Sequence, residues 1–377
     1  MIYLDNAATT WPKPPAVSVT VHNAIEKLGG NPGRGGHQMS MRAGEALFGA
    51  RQKIASFFGC DQPEQVVFTN NATSALNFAI HGLLQPGDHV ITSPFEHNAV
   101  ARPCHFLSQQ GVEWSVAPVL PHSTGSEEEM VAAFAALVRP NTKLIVCNHV
   151  SNVFGNVLPI GAIGHMARQR GICFLVDASQ SAGVLPIHME KQCIDVLAAA
   201  GHKGLYGPPG TGILLRREGI EFRPLMQGGT GSVSGRLDQP DWWPDQMESG
   251  TVNLPAILGL QAGVDYVSRL GWERIARHEM SLREYARRGL EKISGVEVFS
   301  LPGPCTGVLS FRVKGEDSEE TAQRLDRAGI AVRAGLHCAP LAHGVMGTLD
   351  TGTVRVSPGV FNNRQHIDRL LKSVKEK

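Results

Sequence analysis

No stretch of this 377-residue chain comes near the ~20 consecutive apolar residues that a bilayer-crossing helix requires. Its N-terminal MIYLDNAATT lacks a basic region running into an apolar one, so the expectation is a cytoplasmic protein with no membrane partner. An excess of one charge is also missing. The 35 basic and 34 acidic residues leave a net charge of +1, which gives no electrostatic footprint for nucleic acid. Paired cysteines are absent as well. The seven cysteines, at 60, 104, 147, 173, 193, 305 and 338, are odd in number, scattered and free of any CxxC spacing, which points to reduced thiols rather than a disulfide frame. Cys147 in LIVCNHV and Cys173 in ICFLVD sit within apolar runs and read as small buried hydrophobes. Cys338 stands apart, in the polar, glycine-containing RAGLHCAPLAH.

A nucleotide loop is lacking too, although GHKGLYGPPGTGIL at 201–214 invites that reading. A P-loop needs Lys-Ser/Thr after its last glycine, so that the amine reaches the phosphates and the hydroxyl holds magnesium. Here the lysine precedes the glycines, and Ile213, Leu214 and Leu215 follow them as a buried strand. GPPGTG is therefore a turn, and Lys203 is the residue of interest.

What is present is a repeating pattern. Between about 60 and 217 the runs VVFTN, HVITS, WSVAPV, KLIVCNHVS, ICFLVDAS, IDVLAAAG and GILLRR alternate with helix-spaced segments such as TSALNFAIHGLL and MVAAFAALV. That is the signature of an α/β fold with a largely parallel sheet of seven strands, covered on both faces. A Gly-, Pro- and Trp-rich stretch over 228–255 interrupts it. A long helical run over about 256–294 and a smaller αβ segment with GVLSFRV, IAVRAG and TVRVSP come next. The division expected is a large domain over 16–255, a small C-terminal domain over 256–377, and an N-terminal segment, 1–15, packing with the small domain.

Ligands in such sheets gather at the carboxyl ends of the strands, and polar residues stand there. Asp177 ends FLVD, where a buried carboxylate needs a cationic partner unless it merely caps the next segment. Lys203 follows AAAGH, small residues that desolvate an amine, lower its pKa and free the neutral nucleophile. Together they suggest pyridoxal 5'-phosphate, which needs a lysine for its aldehyde and an acid for its ring nitrogen. NNATSALN at 70–77 opens a helix directly after VVFT. Its N–H groups around Ala72 and Thr73 favour an anion such as the cofactor phosphate, while the plainer reading is a cap. His97, after HVITS, belongs to the same rim, placed to stack on a flat ring and to exchange protons near neutral pH.

These residues resemble the class V, fold-type I pyridoxal-phosphate enzymes, and among them the cysteine desulfurases and selenocysteine lyases. The resemblance runs through YLDNAATT, NPGRGGH, NNATSALN, EHNA, HVSNVFGN, VDASQSAG, GHKGLYGPPGTG, ESGTVN, RAGLHCAP and RVSPGVFN, nearly the whole chain in order. It implies that Lys203 binds the cofactor covalently, Asp177 pairs with its ring nitrogen, His97 stacks over the ring, and Gln180 and Asn152 lie at its edge. It implies further that Ala72, Thr73 and His202 serve the phosphate, with Thr251 reaching over from the second subunit of a homodimer. Arg355, with Asn152 and Arg34, would hold the carboxylate of L-cysteine or L-selenocysteine. Cys338 would take the sulfur as a persulfide and hand it to an acceptor protein, its thiolate favoured by the charges of Arg333 and His337. The RAGLHC context resembles the SufS-like branch. Ala200 stands where many relatives carry serine, and Thr230 is the candidate to supply the missing hydroxyl. Three alternatives stay open: another class V reaction (aminotransferase, epimerase or β-lyase) with Cys338 incidental, a sulfur-carrying protein without turnover, and a zinc site from His337, Cys338 and His343, although the expectation is no metal.

Overall fold

The computed structural model describes residues 1–33, 35–118 and 126–376; Arg34 lies outside the described residues. The N-terminal half runs β1 (Ile2–Tyr3), α1 (Pro15–Lys27), α2 (Gln38–Phe57), β2 (Val66–Thr69), α3 (Ala72–Leu83), β3 (His89–Thr92), α4 (Asn98–Ser108), β4 (Glu113–Val116) and α5 (Glu127–Ala135). It continues through β5 (Thr142–Asn148), α6 (Ile160–Gln169), β6 (Cys173–Asp177), β7 (Val196–Ala200) and β8 (Gly212–Arg216). The remainder comprises α7 (Leu254–Leu270), α8 (Trp272–Leu290), β9 (Val296–Phe299), β10 (Leu309–Val313), α9 (Ser318–Arg327), β11 (Ile330–Ala331), β12 (Arg333–Gly335), α10 (Pro340–Val345), β13 (Thr353–Val356) and α11 (Arg364–Lys375).

Seven strands form one sheet in the order β2-β8-β7-β6-β5-β3-β4. Only β8 runs against its neighbours, pairing antiparallel with both β2 and β7. The expected seven runs are these seven strands. Their side chains alternate between two cores: Ile145, Cys147, Leu197 and Ala199 face one, Leu144, Val146, Val196 and Ala198 the other. A strand buried on both faces has no solvent side, which is why β7 reads VLAAA and is buried throughout.

A second sheet, β12-β13-β10-β9, is antiparallel. It packs with α8 and α11 around Leu282, Leu290, Leu309, Phe311, Ile367 and Leu370. The N-terminus reaches this unit: β1 pairs with β11, and Ile2 and Leu4 join its core.

The single helical run expected over 256–294 is two helices. Gly271, at φ 83°, sits where a residue with a Cβ is strained, and the chain turns there. Leu254, Ile257, Leu258, Leu260 and Val264 of α7 belong to the core of the large sheet. Ile275, early in α8, still packs with Val184, Tyr206 and Val267, and Leu282, Ala286 and Leu290 farther along join the second core.

Candidate active site

The carboxyl ends of β5, β6 and β7 open into a cavity of about 210 Å³ whose lining includes Asn148, Asp177 and Ala200. Beyond Ala200 the chain bends through Gly201, where an added Cβ would lie 2.2 Å from Thr211 Oγ1; only glycine permits that approach. The bend delivers His202 and Lys203 to the cavity. Burial lowers the Lys203 amine to about 8, with the Asp177 carboxylate acting in the opposite direction. Asp177 is itself buried, and its Oδ1 accepts the Ser179 N–H at 2.9 Å. The carboxylate is thus both a local cap and the counter-charge of the lysine.

The lysine bend is held by residues that sequence reasoning passed over. The His202 carbonyl accepts from the Thr10 N–H at 3.1 Å and from Lys13 Nζ at 2.6 Å, and the Thr10 hydroxyl also reaches Lys203 O at 3.0 Å. Burial takes Lys13 down to about 8. Only proline-rich spacing in TTWPKPP hinted at order there; no local pattern announces a contact across almost two hundred positions.

Ala72 and Thr73 line the cavity at the start of α3. Asn71 caps that helix, its Oδ1 accepting the Ser74 N–H at 2.8 Å, so the cap and the anion-favouring end are one feature. His97 does the same for α4, Nδ1 accepting the Ala99 N–H at 3.0 Å. That bond leaves the ring proton on Nε2. Burial, then the Lys203 charge, holds the imidazole down to about 4, so His97 is neutral near pH 7 and does not exchange protons there as expected from its residue type.

Gln180 lines the cavity and donates to Ala7 O at 2.9 Å. Asn152 donates to His337 O at 2.7 Å, while its buried Oδ1 has no partner. Arg355 is 1% exposed, and its Nη1 donates to Asn152 O at 2.9 Å. Its Nη2 pairs with Asp5 Oδ1 at 2.7 Å, and its buried Nε has no partner. Asp5 is the second omission of the sequence reading: it pairs with the guanidinium of Arg355. Arg355 is buried and Asp5 keeps 19% of its side chain exposed, so Arg355→Ala is expected to cost about 1–3 kcal/mol of folding stability, less than loss of one member of a fully buried pair, read from the urea midpoint of the purified variant. A change below about 1 kcal/mol would mean that the pair behaves like a surface one.

Cys338 opens onto an adjoining cavity of about 430 Å³ that shares Thr73, His97 and Ala99 with the first. It is exposed and free, and Arg333 Nη2 lies 3.7 Å from its Sγ. Both His337 and Cys338 have positive φ, 49° and 57°, and the Cys338 carbonyl accepts the Asn98 N–H at 2.7 Å. The thiol is thereby tied to the residue after His97. His337, expected to help by charge, cannot: burial pushes its imidazole far below the usual range, and its Nε2 meets Thr353 O at 3.1 Å.

Other expectations fall elsewhere. Thr251 is exposed, 3.4 Å from Asn31 Nδ2, and outside the cavity. Thr230 bonds to Ser232 and lines a separate cavity with Arg51 and Glu248, so within one chain it does not replace the hydroxyl missing at Ala200. His343 turns its Nδ1 to Thr348 Oγ1 at 2.7 Å, and among the described residues no three side chains gather as a metal set.

A half-buried lysine and a buried carboxylate lining one cavity, at the carboxyl edge of this sheet and beside a helix N-terminus, fit the fold-type I pyridoxal-phosphate transferase architecture. The class-V aminotransferase family model matches residues 2–370, and the chain belongs to that family, whose members depend on pyridoxal phosphate. It stands among the cysteine desulfurases. A Methanothermobacter thermautotrophicus protein named probable cysteine desulfurase is 34% identical over 383 residues, covering 100% of this chain and 94% of that one. A Mycolicibacterium paratuberculosis protein of the same name is also 34% identical, but the chain spans only 55% of its length. The solved apo cysteine desulfurase of Thermococcus onnurineus superposes with a TM-score of 0.89 at 31% identity, covering 100% of this chain and 94% of that one. The Escherichia coli cysteine desulfurase CsdA gives 0.88 at 28%, with 99% and 94% covered. No helix among the described residues is long and apolar enough to cross a membrane.

Proposed function

We propose that this protein converts L-cysteine to L-alanine with bound pyridoxal 5'-phosphate, passing the sulfur to Cys338 and then to an acceptor. The observation that carries the reading is the pairing of two cavities through His97: one holds Lys203 and Asp177, the other the exposed thiol. The site fits the cofactor in its donor set. It has an amine lowered by burial, a carboxylate fixed by a backbone N–H, a helix start lined by Ala72 and Thr73, and the buried, unpartnered Asn152 Oδ1.

When bound, the cofactor supplies an aldehyde and an electron-withdrawing ring that makes the substrate Cα–H acidic. Lys203 would hold the cofactor through its aldehyde and, with substrate in place, would take the Cα proton. Asp177 keeps the ring nitrogen protonated by its charge. The N–H groups at the start of α3, with Thr73 and His202, hold the phosphate. Neutral His97 covers the ring, and Gln180 and Asn152 fix its edge. Arg355 binds the substrate carboxylate, sharing its guanidinium with Asp5; Arg34 is proposed to assist. The Cys338 thiolate then bonds to the substrate sulfur. The carbon–sulfur electron pair stays with the substrate, which takes a proton at Cβ, regains at Cα the proton held by Lys203, and leaves as alanine. Cys338 carries a persulfide whose outer sulfur goes to the acceptor. Thr251, exposed on its own chain, is proposed to complete the phosphate site of the other subunit in a homodimer. The free cysteines support a reducing, cytoplasmic setting.

The test incubates the purified holoenzyme with L-cysteine, and separately with L-selenocysteine, and measures alanine together with the mass at Cys338. Alanine from cysteine with one added sulfur at Cys338 is expected. Alanine from selenocysteine alone reassigns the substrate, and alanine without the added mass ends the role of the thiol.

A further inference from the structure

Glu96 precedes His97 and has no part in the chemistry above. Its side chain is 0% exposed, and among the described residues no lysine, arginine or histidine lies within ion-pair reach of it. Its Oε1 is 2.6 Å from Ser93 Oγ and accepts the Asn148 N–H at 2.8 Å; its Oε2 is buried without a partner. Ser93 Oγ is also 2.7 Å from Asn148 Oδ1 and 3.2 Å from the Phe95 N–H.

The protons around Ser93 can be counted. Asn148 Nδ2 faces two carbonyls, Phe95 O at 2.7 Å and Val150 O at 3.4 Å, so its Oδ1 must be the atom turned to Ser93. That oxygen needs a donor, and the serine has one proton, so Ser93 donates to Asn148. The serine lone pairs accept the Phe95 N–H and one more hydrogen, and the only remaining neighbour is Glu96 Oε1. A carboxylate there would place two unprotonated oxygens at hydrogen-bond distance; a carboxylic acid donates and completes the set.

We propose that Glu96 is held as a neutral carboxylic acid and is a positioning residue, locking the turn that carries His97 to the end of β5 beside Asp177. The groups facing it agree. Asp177 across the β5–β6 pairing adds a like charge that disfavours a second anion, and the thiols of Cys104 on α4 and Cys147 on β5 are pushed up by burial and bring no cation to it. Burial, then Asp177, raises the carboxyl to about 8 despite the Ser93 and Asn148 bonds.

The sign follows. The folded chain keeps a proton that the unfolded chain releases above about 4.5, so this contribution to stability is complete at low pH and is lost as pH rises through about 8. Glu96→Gln, a neutral isostere that keeps one of the two bonds made by Oε1 and carries no titrating proton, escapes that loss. Thermal midpoints of the two holoenzymes, followed from about pH 5 to about pH 9, should separate in favour of the Gln variant up to about pH 8 and run parallel above. Other raised acids such as Glu279 are common to both proteins and cancel. Positioning is read from the absorbance of the bound cofactor without substrate: Glu96→Ala shifts or weakens it, and Glu96→Gln, which keeps one of the two bonds, does so less. A midpoint gap independent of pH overturns the neutral acid. Unchanged absorbance in Glu96→Ala overturns the positioning role. Should the Gln variant not fold, infrared spectra of a Glu279→Gln protein decide: a protonated carboxyl band that fades only above about pH 8 is expected, and its absence overturns the proposal. Neither readout uses turnover, so failure here is separate from failure of the desulfurase reading.

Discussion

Lys203→Arg is expected to lose on the order of 10⁴-fold or more in alanine formation from L-cysteine, the upper range for removal of one positioned acid–base group. The replacement keeps a cation opposite Asp177, so the counter-charge survives. What disappears is the neutral amine, because a guanidinium does not deprotonate in a protein. Burial brings Lys203 to about 8. Roughly a tenth of it is then neutral at about pH 7, against less than about one part in a thousand for an unperturbed lysine. Covalent uptake of pyridoxal phosphate by the apo-protein should therefore quicken as pH rises toward about 8 and level off above it, since only the neutral amine attacks. In the Arg variant no such chromophore should form at any pH. A yellow Arg variant that makes alanine at the wild-type rate would remove Lys203 from the chemistry.

Cys338→Ala is expected to take up cofactor normally, yet to form no persulfide and to lose about 10²-fold or more in alanine production. Its Sγ is exposed at the mouth of the second cavity, and its backbone is pinned by the Asn98 N–H. Replacement leaves no nucleophile there to receive the substrate sulfur. Because the side chain is small and exposed, stability should change by less than about 0.5 kcal/mol, so a fall in activity is not a fall in folded protein. The competing reading, an aminotransferase, epimerase or β-lyase with an incidental thiol, requires the opposite: turnover of the true substrate retained in Cys338→Ala. Alanine and bound sulfur measured on the same sample separate the two.

The strands were legible because their signal is local. Each run from VVFTN to GILLRR carries apolar side chains on both faces, and a turn or polar residue marks its end. Asp177, Lys203 and His97 were legible for the same reason, as polar residues where apolar runs stop. The helical run over 256–294 misled because apolar spacing continues through Gly271, and only its φ of 83° and the packing of α7 reveal the break. His337 misled differently: its neighbours in sequence suggest a charge, and its burial denies one.

A covered, largely parallel sheet, a lysine after its sixth apolar run and a thiol in a polar turn can be read from the chain alone, because periodicity and strand ends are properties of adjacent residues. Only the tertiary structure decided that Asp5 shares Arg355 across 350 positions, that Lys13 fastens His202, and that Glu96 lies sealed beside Asn148. Those pairings arise when distant segments are packed against one another. Their protonation follows from the water excluded at that moment, and neither quantity is written in any short stretch of the chain.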